Sequence, residues 1–200
     1  MLLRSIGLLA CCVSSLLISG TAIAQQGGTA EDRIAEIALS DETLQLRYID
    51  TGDHFDIEDS RLTGAFFLSE QRDVVLSAGL QVPADLDLGP LSFTFGPQLY
   101  AALLEEENSD VMAVSVGLEV RLDLAPSMGL AVTGQAYYAP DILSFGSADN
   151  IVDLSARAEV DLAERMILFG GIRLFEFDLA EGEGDRSLQD EVFVGFGYRF

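Results

Sequence analysis

From residue 42 to the C-terminus one pattern recurs. Apolar and polar side chains alternate with a period of two, in segments of roughly ten residues separated by turn-forming Gly, Pro, Asp, Asn and Ser. Two segments show it most cleanly. Met112, Val114, Val116, Leu118, Val120 and Leu122 oppose Ser115, Gly117, Glu119, Arg121 and Asp123, and Val152, Leu154, Ala156, Ala158, Val160 and Leu162 oppose Asp153, Ser155, Arg157, Glu159 and Asp161. Nine such segments are clear, the first over 42–50 and the last over 192–200. Successive side chains of a strand point to opposite faces, so each segment has one greasy face and one small or charged face. Many strands of this length and period predict an all-β fold, a closed antiparallel transmembrane β-barrel of roughly eight to ten strands.

A soluble barrel shows the same alternation with the apolar face turned inward, and the polar face separates the two. It is rich in small residues (Ala113, Ser115, Gly117, Gly129, Ala131, Gly195, Gly197), which suit a crowded lumen. It also carries every arginine that falls inside a clear segment: Arg47, Arg61, Arg121, Arg157, Arg173 and Arg199. An arginine facing the bilayer midplane costs about 2–4 kcal/mol, so six wrongly placed would exceed a typical net stability of about 5–15 kcal/mol. Facing the lumen they meet Glu119, Asp123, Asp153, Glu159, Asp161 and Glu191 on the same face. A structural ion-pair network is the expected use of these charges; an ion or solute path is the alternative.

The two ends carry an address. Met1 to Ala24 reads as a secretory signal peptide, with Arg4 at its start, an apolar run from Ile6 to Ile18 and Ala22-Ile23-Ala24 as the cleavage site before Gln25. Lipidation at Cys11 is the competing reading, but Arg4 sits too close and the apolar run continues past the cysteine. Cleavage removes both cysteines. The final strand, with Gly195, Tyr198 and Phe200 at its end, resembles the sorting strand of bacterial outer-membrane barrels. That implies export to the outer membrane, contact with its lipid, and recognition by the barrel assembly machinery. The balance of 33 acidic against 11 basic residues, with no lysine, argues against nucleic acid as a partner, since phosphates would be repelled. No apolar helix of spanning length is expected after residue 24.

Residues 43–200 are expected to form the barrel, with 25–42 an N-terminal segment or an additional strand. An even strand number requires either that Arg33 to Ser40 adds a tenth strand or that one of the first two clear segments lies outside the wall. A short amphipathic helix over Glu31–Leu39 is the competing local reading. Short turns at 124–127 and 163–165 alternate with longer loops at 105–110, 140–150 and 180–190, placing the longer loops outside the cell and Phe200 at the periplasmic rim.

Three stretches resemble the YfaZ family of predicted outer-membrane proteins: the corner Tyr137-Tyr138-Ala139-Pro140-Asp141-Ile142-Leu143-Ser144-Phe145, then Gly171-Ile172-Arg173, and Gly96-Pro97-Gln98-Leu99-Tyr100. The resemblance implies a fold and a place. The family has no established activity, so it implies no catalytic residues.

An eight-stranded barrel is filled by its own side chains, and ten strands leave little more room. The expected function is therefore structural or interactive, with a narrow or filled lumen. A narrow channel for ions or small solutes is the first alternative, and a lipid-active enzyme the second. The enzyme reading rests on the single histidine, His54, between Asp53 and Asp56. A polar turn accounts equally well for that stretch, and no catalytic residue is assigned. No cofactor is expected. Glu105, Glu106, Glu107 and Asp110 offer carboxylates to a divalent cation in one loop, against the simpler reading of solvated charge; Glu181, Glu183 and Asp185 do so in another.

Overall fold

The computed structural model describes residues 33–86, 88–105, 109–179 and 185–200. The predicted signal segment lies outside them. Ten strands form the wall: β1 (Arg33–Leu39), β2 (Thr43–His54), β3 (Ile57–Ser69), β4 (Val74–Pro83), β5 (Leu91–Leu104), β6 (Ser109–Ala125), β7 (Leu130–Ala139), β9 (Ala148–Ala163), β10 (Met166–Leu179) and β11 (Asp185–Arg199). A short strand, β8 (Ser144–Gly146), completes the wall above β7 by pairing with β6. Neighbours pair antiparallel throughout. β1 sits between β2 and β11, and β5 pairs with β6, so the sheet closes on itself.

The tenth strand is thus Arg33–Leu39. Over these residues the competing short helix does not form. Both neighbours offer unpaired strand edges, and seven residues of extended backbone satisfy them in register from Ile34↔Arg199 to Leu39↔Val194.

Two of the expected long loops are shorter than their sequence suggests. Over 140–150 the wall is only interrupted. Pro140 cannot donate to a ladder, a single 3-10 turn follows over Asp141–Leu143, and pairing resumes at Ser144. Gly146, at φ +90°, makes the reversal into β9. Over 180–190 the chain re-enters the sheet at Asp185. A bulge opposite Phe175 and Glu176 then turns Leu188 and Gln189 inward together.

The Gly96-Pro97 pair has its own effect on the wall. The β4–β5 ladder skips from Gly79↔Gln98 to Val82↔Phe95, because Pro97 has no N–H and Gly96 lies against the Leu80 carbonyl, where a Cβ would overlap it.

The outer face is apolar around the circumference. Val192 is 70% exposed, Met112 63%, Ile172 60% and Leu99 54%, so these residues have no protein to pack against. This is the surface a barrel presents to lipid. At the end holding Arg33 and Phe200, here the terminal end, Tyr198 stacks on Phe200 and Tyr48 lies 6.2 Å from the Phe200 ring. The opposite end, carrying 70–73 and Glu105, is the loop end.

The packed core is the lumen itself. Toward the loop end Phe67, Tyr100, Leu104, Ile151, Phe175, Phe177 and Leu188 form one buried cluster. A smaller one joins Ala38, Ile167 and Phe169, with Ile34 and Phe193 against it. The small inward residues make room for rings. A Cβ on Gly117 would overlap the Tyr137 ring, and one on Gly195 the Phe169 ring.

Candidate functional site in the barrel lumen

The inward side chains of β9 trace the lumen from loop end to terminal end: Ile151 in the apolar cluster, then Asp153, Ser155, Arg157, Glu159 and Asp161. Each charged member meets an opposite charge on the same or another strand. Asp153 takes both arms of Arg173, Nε on Oδ1 at 2.9 Å and Nη2 on Oδ2 at 2.8 Å. Tyr100 donates its hydroxyl to the same carboxylate at 2.8 Å, and the Arg173 guanidinium lies 4.4 Å from the Phe175 ring centroid. This knot ties the apolar cluster to the charged layer beneath it.

Below it, Arg157 bridges Glu36 of β1 and Glu159 of its own strand, each at 3.0 Å. Glu159 also binds Arg121, which reaches Asp123 at 3.0 Å. Across the lumen Arg61 pairs with Glu119 at 2.5 Å, and Gln81 donates to the Tyr137 hydroxyl at 2.6 Å. At the terminal end Arg199 meets Asp161 at 3.4 Å and Arg33 meets Asp50 at 3.5 Å, both half-exposed.

Most of the charged residues expected on the inner face meet partners across the interior, Asp123, Asp161 and Arg199 lie toward the more exposed terminal end, and two others depart from the network. Glu191 is the cross-strand neighbour of Arg173 but makes no ion pair with an arginine among the described residues, and it accepts a hydrogen bond from Ser40. Arg47 makes no ion pair or hydrogen bond among the described residues, although it faces Glu36 across the β1–β2 ladder. Glu36, the partner of Arg157, escapes a sequence reading because β1 is too short to declare a face. The aromatic plug carries a signal that was available: Phe175 and Phe177 continue the parity of Arg173 and so point inward, while Glu176 and Asp178 alternate outward.

His54 lies at the β2–β3 turn of the terminal end, far from this network in the fold, with Nε2 on the Asp50 carbonyl at 3.1 Å. Phe55 and Asp56 turn the chain there with positive φ. Of the loop carboxylates, Glu105 and Asp110 are exposed; Glu106, Glu107, Glu181 and Glu183 lie outside the described residues. Among the described residues no three His, Cys, Asp or Glu side chains converge as a metal site.

Several solved structures are similar in form. A KdgM porin in complex with disordered oligogalacturonate aligns with a TM-score of 0.46 at 10% identity, over 84% of this chain and 98% of that one. A KdgM porin structure gives 0.45 at 10% identity over the same shares. A bacterial polysaccharide outer membrane secretin gives 0.47 at 11% identity, over 79% of this chain and 56% of that one. A search of curated proteins finds no relative. Residues 10–200 match the family described as YfaZ precursor, in agreement with the three resembling stretches, and the chain belongs to that family.

Proposed function

We propose that this protein is a structural or interaction barrel of the bacterial outer membrane whose lumen is closed to solutes. The observation that carries this reading is the apolar cluster across the loop end, where Phe175 and Phe177 are each 0% exposed and Tyr100, Ile151 and Leu188 fill the space beside them. Water and ions avoid an apolar constriction of this kind, and the knot at Asp153 and Arg173 fixes the rings from below. The apolar outer face meets outer-membrane lipid. Arg33, Phe200 and the half-exposed ion pairs near them sit on the periplasmic side, and the terminal strand, with Gly195, Tyr198 and Phe200, is read by the barrel assembly machinery before β1 and β11 close.

The narrow-channel reading has one observation in its favour, a polar cavity under the cluster. Planar-bilayer recording separates the two. The purified mature barrel is expected to give no steady single-channel steps, whereas Phe175→Ala combined with Phe177→Ala is expected to give them. Steady steps from the unaltered barrel, changed by Arg121→Ala or Arg157→Ala, would establish a channel instead.

A further inference from the structure

Above the short β1 the wall has an open seam. β1 pairs with β11 only from Ile34↔Arg199 to Leu39↔Val194, after which the chain turns through Ser40 into β2. On its other side β11 keeps β10 as a neighbour up to Asp178↔Asp185. Residues 185–193 of β11 therefore have a strand on one side and none on the other. Ser40 donates its hydroxyl to Glu191 across this gap, a side-chain contact where a ladder would run.

Phe200 donates its N–H to Arg33 of β1, and Arg199 donates to Arg165 on the β10 side. Backbone groups alternate along a strand, so even-numbered residues aim N–H and C=O at the β1 side, up to the bulge at Leu188 and Gln189. Val192 and Asp190 thus present both groups to the seam, where no backbone partner meets them among the described residues. A row of such groups is a template for one more strand.

The surroundings of the seam say which strand fits. Two copies in one membrane both run β11 from loop end to terminal end, whereas two identical edges join as an antiparallel ladder, so a second copy does not supply it. Asp41, Glu42 and Asp190 are exposed beside the seam, with Glu70 and Arg72 exposed on the next turn. Four acids against one base repel an acidic strand and attract a basic one. The outer surface here is apolar. Val192 is 70% exposed, and a cavity of about 530 Å³ opens beside it between Leu154, Ile172 and Leu174. In strand addition the main-chain bonds supply affinity, and pockets for alternate side chains supply selectivity.

We propose that the free edge of β11 over residues 185–193 docks an extended basic segment of another protein. The segment adds to the wall as an antiparallel strand, and its alternate apolar side chains face the outer cavity. The site rests on the interaction-barrel reading and is independent of whether the lumen is closed.

The probe is an end-capped, fluorescein-labelled peptide of alternating arginine and valine. It should bind saturably to nanodiscs holding a barrel of residues 25–200, beyond its binding to empty nanodiscs. A glutamate–valine analogue, and an arginine–valine analogue N-methylated throughout, should each bind about tenfold more weakly or worse. Val192→Pro removes an N–H from the free edge and none from the β10 ladder, so the variant should fold and weaken binding to a similar degree. Absence of saturable binding would overturn the proposal. So would equal binding of the N-methylated analogue, or of the parent peptide to Val192→Pro. Should that variant not fold, hydrogen exchange in the unaltered barrel decides. Peptide should slow exchange at Val192 and Asp190 and leave Glu191, on the β10 side, as it was; unchanged exchange at Val192 would overturn the site. Dimers that form through this edge without peptide would give it to a second copy and overturn the proposal as well. Bilayer recording keeps the two readings apart. A silent barrel that binds no peptide loses the partner and keeps its closed lumen, whereas a conducting barrel that binds peptide keeps the site and loses the closed lumen.

Discussion

The two halves of the lumen are built from the same alternating strands and hold themselves together by different physics. Toward the loop end the inward positions carry rings and aliphatic chains in mutual contact, with Phe175 against Phe67, Tyr100 and Phe177 at ring separations of 5.2 to 5.7 Å. Toward the terminal end the same inward parity carries arginines and carboxylates. The upper half is stabilised by burial and needs no particular register of charge. Apart from the small cluster at Ala38, Ile167 and Phe169, the lower half depends on each charge keeping its partner, since a buried ion pair contributes little net energy yet is expensive to break. Sealing and ordering are thus separated along the axis, with Asp153 at the boundary, bonded to Tyr100 of the plug and Arg173 of the network.

Variants at each level test that division. The largest loss is expected for Phe175→Ala combined with Phe177→Ala, which empties the centre of the plug. A single buried Phe→Ala costs about 3–5 kcal/mol, and the two rings touch, so the pair should cost more than one but less than their sum. Urea unfolding in lipid vesicles measures it, and a loss below that of either single variant would show that the plug is not the core. Next comes Asp153→Ala at the boundary, which strands both Arg173 and the Tyr100 hydroxyl in a buried setting and should cost about 3–5 kcal/mol. Replacing Asp153 and Arg173 together by apolar residues should recover much of that loss. Gly117→Val should cost about 1–3 kcal/mol by driving the Tyr137 ring off the wall, a loss that Tyr137→Ala in the same chain should relieve. The smallest effect is expected for Arg199→Ala, whose partner Asp161 is 35% exposed at the terminal rim; within about 0.5 kcal/mol of the parent stability would fit a solvent-screened pair.

The wall was largely legible before any coordinates. Period-two alternation needs only side-chain identity, and the arginines on one parity already say which face turns away from lipid. Long-range pairing was not legible. Glu36 lies 121 residues from Arg157, and nothing local to Arg33–Leu39 distinguishes a closing strand from a short helix. The corner at Pro140 carries loop chemistry, so its return to the wall at Ser144 depends on a free stretch of β6 edge that only the closed sheet reveals. That Arg157, and not the cross-strand neighbour Arg47, takes the hydrogen bonds of Glu36 is a matter of three-dimensional competition that no spacing encodes.

On the proposed closed-lumen reading, the aromatic cluster seals the lumen from the loop end. Residues 25–200 contain no cysteine, so a single Ser77→Cys in the cavity beneath the cluster can report on access in a barrel of those residues. In proteoliposomes of known orientation, a small charged methanethiosulfonate added on the loop side should leave that cysteine unmodified, and should modify it once Phe175 and Phe177 are replaced by alanine. Rapid modification in the otherwise unaltered barrel would contradict the account.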